Sequence, residues 1–458
     1  MNLPYIEPFK TKMVESIHRS TREERELWIK EANYNLFNLK SDQVTIDLLT
    51  DSGTGSMSDR QWSEMMLGDE SYAGASSFYK LKNAVNEITG FDYVLPTHQG
   101  RAAENVLFSV LIKEGDLIPG NSHFDTTKGH IEYRKATAID CTCDIASDTK
   151  AIHPFKGNVD PEKLEKVFQE NPIEKIPFII LTITNNTAGG QPVSMENVRA
   201  ASAIAKKYGV RLIIDSARFA ENAYFIKTRE EAYADKSIRE IVRETFSYAD
   251  GMTMSSKKDA IVNMGGFIAL REEEIYKAAS QFNIIFEGYI SYGGLSGRDM
   301  NALAQGLYEG TEFEFLESRI RQVNYLGEQL LQNGIPLQEP VGGHAVFVNA
   351  LEFLPHIPRE QFPAQTLAIE LYLEAGVRAV EIGAILADRD PKTRKNRYPA
   401  LELVRLAIPR RVYSYKHMDY IAAALSNVYN RRKEISTGVK IIEEAPLMRH
   451  FTVKLDRL

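Results

Sequence analysis

An α/β fold, with a mostly parallel central sheet covered by helices on both faces and joined to a smaller α+β domain, is the architecture this sequence predicts. Three observations carry it. From residue 55 to about residue 310, short apolar runs of strand length alternate with stretches of helical spacing, the pattern of βαβ units. Several of those runs end in residues that bear chemistry, and in open α/β sheets ligands bind outside the carboxyl ends of the strands. At 458 residues the chain is too long for one small core. The alternation gives way near residue 311 to an α+β pattern that runs to 458. Residues 51–310 therefore read as the large domain, 311–458 as the small C-terminal domain, and 1–50 as an N-terminal arm with part of the small domain.

Composition narrows the class. With 43% hydrophobic and 26% charged residues the chain is ordinary for a soluble globular protein. A formal charge of −7 argues against a nucleic-acid binder. Cys141 and Cys143 are too few and too close for a disulfide framework or a complete metal site, and they fit a reducing compartment. The first twenty residues hold no apolar h-region. The longest apolar run, 176–183, contains Pro177 and Thr182 and falls far short of the roughly 20 residues of a membrane span. A cytoplasmic protein is expected.

Taken in order, Thr21-Arg22-Glu23-Glu24 has the Thr-x-x-Glu form of a capping box. Leu27, Trp28, Ala32 and Tyr34 follow at loosely helical spacing, and residues 44–49 read as a strand. The turn Thr50-Asp51-Ser52-Gly53-Thr54-Gly55 has hydroxyls and glycines that suit an anion as well as a plain polar turn. Tyr72, between small residues and beside Asp69 and Glu70, is either amphipathic surface or an acid–base group. A strand at 93–96 leads into Thr97-His98-Gln99-Gly100-Arg101. A glycine at a helix entry lets free N–H groups approach a phosphate, and that helix carries Ala102, Val106 and Val110 on one face. In the polar loop 118–130, a turn anchored by Phe124 accounts for the composition better than a metal set of His123, Asp125 and His130.

The strand at 178–183 ends in Thr184-Asn185-Asn186, and a helix at 194–208 turns Val198, Ala201, Ala205 and Tyr208 to the core. The strand at 210–214 delivers Asp215, a carboxylate that is costly at a buried strand end unless it meets a cation. One helix later, a strand ends in Ser255-Ser256-Lys257-Lys258. A lysine walled by apolar residues loses its proton cheaply and can form a Schiff base with an aldehyde cofactor. Together these strand ends supply what a pyridoxal phosphate site needs. A helix N-terminus takes the phosphate, an aromatic stacks on the ring, Asn holds its phenolic oxygen, Asp pairs with its nitrogen and Lys forms the covalent link.

In the last third, helices at 313–331 and 361–375 flank a strand that follows Gly342-Gly343-His344. The charge run at 389–395 is a solvated loop. Arg405 sits in an apolar strand at 403–408. A buried arginine wants a bidentate carboxylate, either structural or the α-carboxylate of an amino acid.

Five motifs resemble the β-eliminating lyases, and the resemblance runs nearly end to end. They are Asp47-Leu48-Leu49-Thr50-Asp51-Ser52-Gly53-Thr54, Pro96-Thr97-His98-Gln99-Gly100-Arg101, Ala188-Gly189-Gly190-Gln191-Pro192-Val193-Ser194, Glu221-Asn222-Ala223-Tyr224-Phe225-Ile226-Lys227 and Ser255-Ser256-Lys257-Lys258-Asp259. The resemblance implies fold type I, the aspartate aminotransferase-like fold of pyridoxal phosphate enzymes. It implies that Lys258 bears the cofactor, that Gln99, Gly100, Arg101 and Ser255 hold its phosphate, that Phe124 stacks on its ring, and that Asn186, Asp215 and Arg218 contact its polar edge. Arg405, with Thr50 and Ser52, would bind the substrate carboxylate. Tyr72, reaching from a neighbouring subunit, would help protonate the leaving group. The family is a homotetramer, a dimer of dimers, and needs a monovalent cation, K⁺ or NH₄⁺, here matched to Glu70 and the backbone oxygens of Gly53 and Asn263. Such ligands suit a hard cation.

Three positions choose between the family's ring substrates. Ile382 stands where the tyrosine-cleaving members carry an arginine, Asp125 stands in place of a threonine, and His450-Phe451 in place of two phenylalanines. All three resemble the tryptophanase branch, with Asp125 and His450 joining Lys258, Tyr72 and Arg405 as catalytic positions. The physics agrees: indole carries an N–H donor on an apolar bicycle, which suits an acid beside an aliphatic wall, and phenol carries a hydroxyl, which suits an arginine. The activity expected is cleavage of L-tryptophan by water to indole, pyruvate and ammonia, a carbon–carbon lyase reaction. The alternative is L-tyrosine to phenol, pyruvate and ammonia.

Overall fold

The computed structural model of the protein describes residues 5–390 and 392–458. The chain divides into two compact units. One comprises Ser52–Ala146 and His153–Leu316, the other Met1–Asp51, Ser147–Ile152 and Glu317–Leu458.

The first unit is built on a seven-stranded sheet. In chain order its strands are β1 (Tyr93–Thr97), β2 (Leu117–Gly120), β3 (Thr137–Asp140), β4 (Phe178–Thr182), β5 (Arg211–Asp215), β6 (Gly251–Ser255) and β7 (Gly266–Leu270). In space they run β1-β7-β6-β5-β4-β2-β3. β7 is antiparallel to both neighbours, and the remaining contacts between these strands are parallel. The mostly parallel α/β expectation is met. Phe178, Ile179, Ile180 and Leu181 are all buried, as in a strand covered on both faces, and they read as a continuous apolar run for that reason. Leu95, Val106, Phe108, Phe178, Ile180, Ile213 and Ile268 pack into one core between the sheet and its helices.

Four helices of this unit matter for the site: α1 (Gly100–Leu111), α2 (Asp125–Tyr133), α3 (Met195–Tyr208) and α4 (Phe219–Arg229). α3 starts where the sequence predicts, because Ser194 accepts a hydrogen bond from the Asn197 N–H at its entry. Val198, Ala201 and Ala205 are buried as expected. Tyr208 is half-buried instead, its ring stacked on Phe168 at 4.5 Å between centroids, because it lies in the last turn beside the preceding helix, Pro161–Glu170.

The second unit holds a three-stranded antiparallel sheet of Val380–Ile382, Leu403–Ala407 and Ala345–Asn349, in that order. The predicted capping box is present. The Thr21 hydroxyl accepts from Glu24 N–H (3.3 Å) and the Glu24 carboxylate accepts from Thr21 N–H (2.8 Å). The helix it starts, Arg22–Glu31, stops before Ala32 and Tyr34 and buries Arg25 and Ile29, leaving Leu27 exposed. The predicted strand at 44–49 shrinks to Ile46–Asp47, because only those residues find a ladder partner, Val377–Arg378.

Asp51 is fully buried. Its carboxylate faces Arg410 at 2.9 Å and Arg319 at 3.8 Å, both of them also buried. Removing one member of a buried ion pair strands the other charge. Asp51→Ala is therefore expected to cost ~3–5 kcal/mol, against ~1 kcal/mol for Thr21→Ala at the exposed cap. Urea unfolding of both variants beside the wild type checks the ranking.

Candidate active site

The strand ends of the first unit meet at one edge of its sheet. β6 ends at Ser255, and the chain turns at once through Ser256, Lys257 and Lys258. Lys258 is 8% exposed, and its Nζ donates to Ser255 Oγ at 2.9 Å. It stands 5.8 Å from the centroid of the Phe124 ring. The turn is anchored by a residue to which the sequence reading gave no role. The buried Asp259 carboxylate accepts from the Ala220 and Glu221 N–H groups (2.8 and 3.0 Å), capping α4 from a distant part of the chain. No local spacing signals such a cap. The acid directly after the lysine pair is the one hint the sequence offers.

Asp215 ends β5 and is in register with Thr253 of β6, so adjacent strands carry the acid and lead to the lysine. It is 8% exposed. Burial pushes its pKa up, while the Lys258 ammonium, the Ala217 N–H and Arg218 oppose that push. Two cations thus act on this strand-end acid, and burial still outweighs them. Asn186 is buried in the loop after β4, and Arg218 is buried at the entry of α4.

Gln99 and Gly100 open α1 after β1. A Cβ on Gly100 would stand 2.5 Å from that of Ser255, so only glycine lets this helix N-terminus lie against the end of β6. The helix N-terminus, its dipole and the Ser255 hydroxyl collect there, a setting made for phosphate. Arg101 is exposed beside them, and Lys257, half-buried, has its pKa lowered by burial and then by the Arg101 charge. Phe124 occupies the N-cap position of α2, and Asp125 is its first residue, with Oδ1 accepting from Thr126 N–H at 2.6 Å. His123 beside them is buried and its pKa falls to about 4, so it is neutral. Among the described residues no three His, Cys, Asp or Glu side chains form a metal-holding group.

The remaining predicted positions divide between the units. Tyr72 is 70% exposed and packs against Tyr289 and Tyr292, with ring centroids at 5.8 and 5.2 Å. Gly53 and Asn263 are adjacent: Asn263 Nδ2 donates to the Gly53 carbonyl at 2.9 Å. Glu70 is paired with Arg298 at 3.0 Å. Ser52, in the first unit, is half-buried. In the second unit, Arg405 donates to the Leu49 carbonyl at 3.0 Å, one residue before Thr50. Ile382 is buried in an apolar cluster with Phe347 and Leu403, against which Phe37 packs. Phe37 also meets the ring of the buried His450 edge-on at 5.9 Å.

Because Asp259 holds both the lysine turn and a helix entry, Asp259→Ala is expected to cost ~1–2 kcal/mol, the range of a lost N-cap. Urea unfolding checks the size of the loss. Asp259→Asn should recover part of it.

The comparisons with known proteins follow this geometry. A family model described as β-eliminating lyase matches residues 47–424. The chain is 67% identical, over the whole length of both, to a probable β-eliminating lyase of Trichomonas vaginalis. It is 53% identical to a tyrosine phenol-lyase of Symbiobacterium thermophilum, covering 100% of this chain and 99% of the other. Among solved structures, an aspartate aminotransferase double mutant of Thermus thermophilus superposes with a TM-score of 0.61 at 14% identity, covering 89% of this chain and 95% of that one. The fold is thus the aminotransferase-like fold type I that the motifs imply. With the family model spanning most of its length and a full-length relative at 67% identity, the chain belongs to the β-eliminating lyase family.

Proposed function

We propose that this lyase uses pyridoxal 5′-phosphate and water to cleave the bond between Cβ and the aromatic ring of an L-amino acid, releasing the free ring, pyruvate and ammonia. The observation that carries this reading is the Lys258 amine, buried at the end of β6 beside Phe124 and within the field of Asp215. The residues fit the cofactor. The α1 N-terminus with its obligatory Gly100, Gln99, Arg101 and Ser255 would hold a phosphate. Phe124 offers a ring face, Asn186 and Arg218 offer polar groups, and Asp215 offers a carboxylate for a ring nitrogen. When bound, the cofactor supplies an electron sink for the carbanion formed at Cα.

The chain's own groups supply the rest. The Lys258 amine would take the Cα proton. Arg405, with Thr50 and Ser52, holds the α-carboxylate and so fixes the Cα–H direction. Tyr72, from a second copy of the chain, delivers a proton to the ring carbon as the ring leaves. A homotetramer explains why so exposed a tyrosine would have that role. A monovalent cation at the Gly53 and Asn263 carbonyls, K⁺ or NH₄⁺, would then be completed by a Glu70 from a neighbouring copy. We place the enzyme in the cytoplasm; among the described residues no helix is long and apolar enough to cross a membrane.

The relatives favour L-tyrosine as substrate, since several proteins about half identical to this chain are named tyrosine phenol-lyase. This weighs against the tryptophanase preference drawn from three positions. The specific observation that keeps L-tryptophan as a second reading is the set Asp125, Ile382 and His450. Ile382 packs in an apolar cluster, and an aliphatic group there offers nothing to a phenol hydroxyl.

Purified enzyme with the cofactor, given each amino acid in turn, should release phenol faster than indole. Indole as the main product would overturn the tyrosine reading in favour of tryptophan, and neither product would overturn both. Lys258→Ala should lower turnover by on the order of 10³-fold or more, as expected for loss of a group at the centre of the chemistry. Undiminished product from that variant would sink the mechanism. If phenol release is slow, Ile382→Arg should raise it relative to indole, measured as the ratio of kcat/KM values.

A further inference from the structure

Glu104 lies in the second turn of α1, is 4% exposed, and has no part in the elimination described above. A carboxyl group is costly to bury and persists in such a place only when its oxygens are hydrogen-bonded. Both are. The Thr126 hydroxyl donates to Oε2 at 2.6 Å, and the Thr127 hydroxyl bonds Oε1. These two threonines are themselves buried and stand in the first turn of α2, directly after Phe124 and Asp125. Other ties between the helices lie farther along α2. His130 Nε2 meets the Arg101 carbonyl at 3.0 Å, and Arg134 reaches Asn105 and Ser109. Glu104 thus grips the end of α2 that presents the aromatic ring to Lys258. Its own helix begins at Gly100, against Ser255.

We propose that Glu104 is a positioning residue for the cofactor: its carboxyl group clamps the first turn of α2 to α1 and so fixes Phe124 and Asp125 relative to the phosphate end and to Lys258. The inference rests on the pyridoxal phosphate reading above. Burial and the neighbouring Asp215 and Asp125 push the Glu104 pKa up to about 8. Burial thus favours the protonated form, which adds no negative charge near Asp215 and can donate one hydrogen bond as well as accept.

That property makes glutamine a close stand-in, since a primary amide also donates and accepts. Apoprotein of the wild type, Glu104→Gln and Glu104→Ala is titrated with pyridoxal 5′-phosphate, followed by visible absorbance and by circular dichroism of the bound ring. Glu104→Gln should bind within about threefold of wild type, and Glu104→Ala about tenfold or more weakly, with reduced ring dichroism even at saturation. A purely structural role would lower the melting temperature of Glu104→Ala and leave the saturated dichroism intact. That result overturns the clamp, as does Glu104→Gln behaving like Glu104→Ala. Where Glu104→Ala does not fold, Thr126→Val with Thr127→Val breaks the same bonds from the other helix and should give the same loss. Wild type that takes up no cofactor overturns this inference together with the reading it rests on. Wild type that binds while both the Ala variant and the double-Val variant are unaltered overturns the clamp alone.

Discussion

A carboxylate and an amine, held within each other's field at one edge of a buried sheet, set the terms for the rest of the first unit. Neither Asp215 nor Lys258 is tolerable alone at about one-tenth exposure. The register of β5 against β6 opposes Asp215 to Thr253, and the turn that follows β6 carries Lys258, whose charge opposes the cost of burying the acid. The charges also explain why the surroundings are so particular. Asp259 holds the turn to the α4 entry, the Arg218 charge acts on the acid, and α1 approaches so closely that only Gly100 fits.

The same edge shows how parallel topology gathers chemistry. β1, β2, β4, β5 and β6 end in the same direction, and each ends in or leads directly to one group: Gly100, Phe124, Asn186, Asp215 and Lys258. The helices then act through their ends. α1 presents N–H groups, α2 presents a ring at its cap, and α4 is capped by a residue of the lysine turn. The second unit contributes in another way. Its short antiparallel sheet buries Ile382 in an apolar cluster and holds Arg405 against the Leu49 carbonyl.

Between closely related lyases, the ring that is cleaved depends on few contacts. Overall identity to proteins named tyrosine phenol-lyase and the identity of Asp125, Ile382 and His450 weigh in opposite directions for this chain. Global likeness reports the shared scaffold, set by hundreds of core positions. Discrimination between a hydroxyl and an N–H is set by one or two polar partners. The two kinds of likeness can therefore diverge without either being anomalous.

Much of this was legible in the chain itself wherever the signal is local. The Thr21 capping box, the Ser194 entry to α3, the apolar run of β4 and the acid closing β5 each rest on residues within a few positions of one another, and each formed as read. The motif around Ser255 and Lys258 was equally legible, because a strand, a turn and a lysine are contiguous. What only the tertiary structure decided spans long stretches of chain: Asp259 capping α4 across 39 residues, Glu104 gripping Thr126 across 22, and Asp51 meeting Arg410 across 359. It also shortened the strand at 44–49 to the two residues that find a partner, and left Glu70 with Arg298. Propensity and periodicity are properties of neighbours in sequence. The partner of a buried charge is a property of packing, and packing is where the price of burial is met.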